Sequence, residues 1–282
     1  MGSIASDKLF EWKDYISWNK KLEAIYPSLL TSALIKKARK SKHSIESHFF
    51  TPFCSLSGLS EEEILTPVHQ KLFRGNFPFL RVYHACRPIN PEVYYEKGLL
   101  VNTPQRLFAT FCEIFLGSNL PYLKKSHLQK IFESESSNPE LIDNGELYVG
   151  LDDRHLIKFC GHYLIYGSET LHAWALKLPG GHNDYYRSIL RSVGRPTMFC
   201  INLPNTKRYV PDFYIEELLK NVFSSWMYNT ANSVTDNYKL SFTIKIKENL
   251  SPSKIHSHYF PEQIPDQHYH LKIYDSTTGK HI

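Results

Sequence analysis

The chain has 282 residues, 42% of them apolar and 22% charged. That balance excludes a disordered or collagen-like chain and supplies enough apolar side chain to bury a core without disulfide staples. The formal charge of +5 permits an anionic ligand or nucleic acid without requiring either. The densest basic stretch, KKARKSKH at 36–43, reads first as a solvated helix face and second as a phosphate patch.

Residues 8 to 40 carry a helical pattern, with Leu9, Trp12, Ile16 and Leu22 on one face and Leu29, Leu30, Ala33 and Leu34 continuing it. SGLSEEEILTPVHQKLF begins another helix. Ser60 and Glu63 have capping-box spacing, and Pro67 limits or kinks that helix. Residues 1–75 therefore read as a helical N-terminal region, and 76–282 as an α+β domain. FPFLRVYHA is the first strand, PEVYYEKGLL a short helix closed by Gly98, and PQRLFATFCEIFLG and SHLQKIFESES two further helices. SESSNPELIDNG is a polar loop. GELYVGL is a strand, DDRHLIKFCG a helix opened by Asp152 or Asp153, HYLIYG strand-like, and SETLHAWALKLPGG helical with Ser168 as its N-cap. GRPTMFCINLP is a buried strand, and DFYIEELLKNVFSSWMY an amphipathic helix capped by Asp212. NYKLSFTIKIKENL alternates most cleanly, with Leu240, Phe242, Ile244 and Ile246 on one face and Lys239, Lys245 and Lys247 on the other. SPSKIHSHYFPEQI is expected to be a loop or a turn of helix, and HYHLKIY an edge strand.

Cys54, Cys86, Cys112, Cys160 and Cys200 form no CxxC pair and are odd in number, so they read as reduced, buried thiols. No secretory leader and no apolar run of about 18 residues is visible. The expectation is a cytoplasmic protein that does not enter a membrane.

Four constellations carry candidate chemistry. In RVYHACRPINPEVYYEKGLL, His84 and Arg87 stand where a buried strand gives way to a loop, a position from which an imidazole can meet a ribose hydroxyl and a guanidinium fork a phosphate. A core histidine and a surface arginine would read the same way. Tyr148, in GELYVGLDDRHL, can stack on a planar ring or simply fill a core, and the two aspartates after it suit a helix cap better than a metal. CGHYLIYGSETL packs His162, Tyr163, Tyr166, Ser168 and Glu169 around two glycines. Glu169 there is either a site carboxylate or an ordinary first-turn acid. The tail histidines His256, His258, His268 and His270 have zinc-capable side chains but no nearby cysteine, so no metal is expected. Cys86 beside His84 leaves a Cys–His pair open. No nucleophile elbow, dinucleotide fingerprint or P-loop is present.

A strand ending in VYHACR, then YYEKGLL, then ELYVGLDD followed by a helix, resembles the entry to the ADP-ribosyltransferase superfamily, in its His-Tyr-Glu branch of poly-ADP-ribose polymerases and diphtheria-toxin-like enzymes. The resemblance covers residues 79 to 265 and rests on short motifs. It implies a mixed β core with flanking helices and NAD as substrate. ADP-ribose would go to a protein or nucleic acid acceptor. His84 takes the ribose-holding position and Tyr148 the nicotinamide-stacking position, with Arg87 and Tyr166 as further dinucleotide contacts. The catalytic carboxylate stays open between Glu169 and Glu248, with Asp236 also near the strand that usually carries it. The His84–Tyr148 separation is long, and Ala-Cys-Arg follows His84 where the family usually has Gly-Thr or Gly-Ser. The competing readings are a catalytically silent module of the same fold that binds nucleic acid or a partner protein, and a metal-dependent hydrolase using the tail histidines.

Overall fold

The structure, a computed structural model, describes residues 5–27, 29–40, 50–118, 120–136, 145–180, 183–234 and 238–282. The chain is α+β. In chain order its elements begin with β1 (Leu9–Phe10), α1 (Tyr15–Ile25), α2 (Ser32–Lys40), α3 (Phe50–Ser57), α4 (Glu61–Val68), a π-helical segment His69–Asn76 and β2 (Phe79–Cys86). Next come α5 (Glu92–Lys97), α6 (Pro104–Gly117), α7 (Lys125–Ser136), β3 (Leu147–Gly150), α8 (Asp153–Phe159), α9 (Gly161–Tyr166), α10 (Glu169–Ala175) and α11 (Asn183–Ser192). β4 (Thr197–Pro204), α12 (Asp212–Asn232), β5 (Thr243–Ile246), β6 (Ile255–Tyr259), β7 (Gln263–Asp266), β8 (Lys272–Asp275) and β9 (Lys280–His281) complete it.

These elements form two compact units, residues 1–82 with 202–244 and residues 83–201 with 245–282. The helical N-terminal region thus belongs to the first unit together with α12. There Ser60 accepts from the Glu63 backbone N–H and Glu63 returns the bond at 2.8 Å, so the capping box forms. Pro67 lies inside α4, and the chain passes directly into the π-helical segment. The long helical pattern read over 8–40 resolves differently: Leu9 lies in β1, parallel to β2, and α1 and α2 are separate helices. Phe10, Phe73 and Phe77 pack ring to ring in that core.

The second unit carries the candidate residues. In the sheet of order β5-β3-β2-β4-β6, β2 is antiparallel to β3 at Tyr83↔Gly150 and β4 is antiparallel to β6. A separate three-stranded sheet has the order β7-β8-β9. α6 begins at Thr103, which accepts from the Arg106 N–H, and buries Leu107, Phe111 and Phe115 at four-residue spacing. These side chains join Trp174, Tyr186, Tyr83 and Ile264 in one core. The alternation at the end of the NYKLSFTIKIKENL stretch holds: Ile246 is buried while Lys245 and Lys247 are exposed.

Several expectations came out differently: Asp212 is the first residue of α12 and not its cap, which is Pro211, because its carboxylate is engaged by Arg74 at 2.8 Å. HYLIYG is the helix α9 and not a strand, because an apolar run as short as Tyr163 to Tyr166 fits either period and α9 is closed by Gly167 at φ 87°, whose N–H bonds the Tyr163 carbonyl. SPSKIHSHYFPEQI, expected to be a loop or a turn of helix, forms a 3-10 turn at Pro252–Lys254 and then strand β6, paired with β4. HYHLKIY enters its strand only at Lys272, since Gln267–Tyr269 forms a 3-10 turn and His270 and Leu271 adopt positive φ. Most of SESSNPELIDNG and part of the 36–43 basic stretch lie outside the described residues.

Candidate functional site

Strand β2 ends in two residues with different tasks. His84 is half-buried, and its Nδ1 lies 2.9 Å from the Tyr148 carbonyl on β3. A carbonyl only accepts, so Nδ1 carries the hydrogen and Nε2 of the neutral ring is left as an acceptor. Burial pushes the His84 pKa below the ordinary histidine value, against the opposing effect of that hydrogen bond. The ring is therefore held neutral in one tautomer.

Tyr148 is 38% exposed. Its hydroxyl donates to Glu146 Oε2 at 2.6 Å, and Lys245 of β5 lies 5.4 Å from the ring centre and 3.0 Å from the same carboxylate. The Tyr148 hydroxyl, followed by Lys245, holds the Glu146 carboxyl below its usual range. The Tyr83↔Gly150 register, continued along regular strands, sets His84 opposite Val149 and puts the His84 and Tyr148 side chains on opposite faces. The structure therefore joins these two residues through a backbone carbonyl and separates their rings.

Arg87 and Tyr166, expected to touch a dinucleotide, are committed to protein partners. Arg87 donates from Nε to the Val193 carbonyl at 2.8 Å, from Nη1 to Leu164 at 3.2 Å, and from Nη2 to the Arg191 carbonyl and, at 3.5 Å, the Tyr274 hydroxyl. It thereby caps the C-terminal end of α11 and ties α9 to the end of β2. Tyr166 is buried at 2% exposure and donates to Asp266 Oδ2 at 2.5 Å.

Glu169 opens α10 behind its N-cap Ser168 and is exposed. It accepts from the Tyr163 hydroxyl at 3.2 Å. A Cβ placed on Gly167 would lie 3.5 Å from Arg87 Cβ, so α10 starts beside the end of β2. The positive φ of Gly167 belongs to its capping of α9. Glu248 is half-buried just past β5, and Asp236 lies outside the described residues. Of the two aspartates after β3, Asp152 caps α8 and pairs with Arg154 at 3.0 Å, and Asp153 accepts from Tyr259 at 2.6 Å. Burial pushes the Cys86 thiol up to about 12, with Tyr94 beside it, so it supplies no thiolate to His84. Among the described residues no group of three His, Cys, Asp or Glu side chains is placed to hold a metal.

A second polar cluster is invisible in the sequence. It joins α9, α10, α11 and the 267–269 turn. His172, 6% exposed, stacks on Tyr166 at 4.8 Å, accepts from Arg187 Nε at 3.0 Å and lies 4.3 Å from His268. Asp266, fully buried, also meets His281 Nε2 at 2.8 Å and the His268 N–H at 2.9 Å. Sequence reasoning missed α11 itself. Tyr186 and Leu190 one turn apart, with Arg187 and Arg191 beside them, are the available signal of that amphipathic helix.

Burial, followed by the neighbouring His268 and Arg187, lowers the His172 pKa from 6.5 to about 4. The unfolded chain then binds a proton that the folded chain refuses as pH falls from about 6.5 to about 4. Stability contributed by the neutral ring is complete above that window and lost through it. Urea midpoints at pH 7 and pH 5 check this: His172→Gln should reduce the drop between them, and an unchanged drop would reject the assignment.

Compared with protein-family models, curated proteins and solved structures, the chain matches none.

Proposed function

We propose that this chain is an NAD-dependent ADP-ribosyltransferase that cleaves the nicotinamide–ribose bond and passes ADP-ribose to a protein or nucleic acid acceptor. The observation that carries the reading is the fixed tautomer of His84 on the β2–β3 pair, which leaves Nε2 ready to accept from a ribose hydroxyl. The resemblance of VYHACR, YYEKGLL and ELYVGLDD to that superfamily supplies the reaction class. Departure of nicotinamide leaves positive charge on the ribose carbon, which a carboxylate stabilises electrostatically. Glu169 is the carboxylate whose helix begins next to the end of β2, and Tyr163 orients it. Tyr148 serves this reading through its backbone carbonyl, which fixes His84, because its ring lies on the other face of the β2–β3 pair. Arg87 and Tyr166 serve this reading as framework, because their polar groups are already engaged.

The alternative is a catalytically silent module for nucleic acid or a partner protein. It is favoured by the exposed, first-turn place of Glu169, where an acid is also explained by the helix dipole.

Nicotinamide release from NAD separates the two. His84→Ala should lower it about 100-fold by loss of positioning, and Glu169→Gln by about 100- to 1,000-fold. Tyr148→Phe and Tyr148→Ala, which change a side chain on the other face and keep the carbonyl that holds His84, should both stay within severalfold of wild type. Loss in Glu248→Gln but not Glu169→Gln would move the carboxylate to the end of β5. Wild-type protein that neither binds nor cleaves NAD would end the transferase reading.

A further inference from the structure

We propose that the corner formed by α11 and the 267–269 turn is an anion site for a phosphate group, with the Arg187 and Arg191 guanidinium groups and the His268 ring as its donors. Arg187 and Arg191 stand one turn apart on α11 and share a helix face. Their guanidinium carbons lie 5.8 and 5.4 Å from the centre of the Tyr269 ring, so both flank one aromatic wall. The wall is fixed by the Tyr269 hydroxyl, which donates to Asp184 Oδ1 at 2.6 Å. Arg187 is anchored by Nε to His172, and His268, exposed, stands beside that imidazole.

The local charge count favours an anion. Asp184 approaches Arg187 at 3.5 Å, but its side chain is 69% exposed and already accepts from Tyr269. Asp266 is fully buried and spent on Tyr166, His281 and the His268 backbone. Glu169 acts on His268 only through its field. Arg191 has no carboxylate at ion-pair distance among the described residues. Its guanidinium meets the Tyr166 hydroxyl at 3.5 Å and the Tyr269 hydroxyl. Two forks and an imidazole offer donors in more than one plane, which the oxygens of a tetrahedral phosphate fill more completely than the two coplanar oxygens of a carboxylate. None of these donors is used in the nicotinamide chemistry, so the site stands or falls independently of it.

The test is a titration with inorganic phosphate at fixed ionic strength, followed by NMR of the histidine side chains. Saturable shifts are expected at His268 and His172. In Arg191→Gln the half-saturation concentration should rise about tenfold with an unchanged thermal midpoint, and Arg191→Lys should fall between. Shifts that do not saturate, that chloride reproduces, or that Arg191→Gln leaves unaltered would overturn the proposal. If Arg191→Gln fails to fold, Arg187→Lys replaces it: weakening of several-fold supports the site, and none rejects it. A parallel titration with a 5′-phosphorylated trinucleotide identifies the source. Tighter binding than inorganic phosphate assigns the group to a nucleic acid end, and equal binding assigns it to free phosphate.

Discussion

Arg87→Leu is expected to destabilise the protein by about 3–5 kcal/mol, from three carbonyl acceptors stranded at about 1–3 kcal/mol each and combining less than additively. Those acceptors are the carbonyls of Leu164, Arg191 and Val193, with the Tyr274 hydroxyl as a fourth contact. Arg191 and Val193 mark the end of α11, whose last carbonyls have no partner within the helix. Burial lowers the Arg87 pKa, with Tyr274 opposing it. Arg87→Lys should recover only part of the loss, because an ammonium cannot fork to carbonyls on two helices. Urea unfolding at neutral pH measures both. A cost under about 1 kcal/mol for leucine would mean that the carbonyls find water, and would return Arg87 to the role of a ligand contact. In that event Arg87→Lys would weaken NAD binding and leave the unfolding midpoint in place.

Gly98→Ala is the second substitution with a large expected effect, at least about 3 kcal/mol. Gly98 caps α5 at φ 80° and ψ −175°, a region that residues with a Cβ scarcely enter. An added Cβ would stand 2.0 Å from the Leu250 carbonyl oxygen and 3.2 Å from Pro252 Cδ. The backbone bridge between Leu99 and Leu250, with bonds of 2.9 and 2.8 Å, would have to open. Gly58→Ala is the control, since Gly58 has φ 77° with nothing within 4 Å of an added Cβ and should cost only about 1–2 kcal/mol from its backbone conformation. Equal thermal shifts for the two variants would show that the close approach of Leu250 is not what requires glycine at 98.

The outcome for each candidate residue followed from where its partners lie in the chain. Ser168, and one of Asp152 and Asp153, were readable as caps because a cap bonds two or three residues ahead, and the fold makes Asp152 the cap. His84 and Tyr148 were readable as strand residues, but their relation was not. The hydrogen bond that fixes the His84 tautomer spans 64 positions, and the register that sends the two side chains to opposite faces is set by β2–β3 pairing. Tyr166 offered a hydroxyl for a ligand. Its partner Asp266 is 100 positions away on β7, and the hydroxyl is consumed there.

Local sequence was enough for the α+β class, the helix starts at Ser60, at Asp152 or Asp153 and at Ser168, the strands β2 and β4, and the alternation through β5. Each is written in contacts or periodicities of a few residues, which local sterics and hydrogen bonding enforce. The helical state of HYLIYG needed packing from elsewhere, since the short apolar run Tyr163 to Tyr166 satisfies either period until α9 is pressed against β7. There a Cβ on Gly161 would come within 2.6 Å of the Pro265 carbonyl oxygen. Long-range folding likewise turned Arg87 into a cap for α11, through partners 104 and 106 positions away, and assembled His172, His268, Arg187 and Arg191. A guanidinium or an imidazole looks the same in a sequence whether it awaits a ligand or is already bonded, because its energy depends on neighbours that folding brings from distant positions.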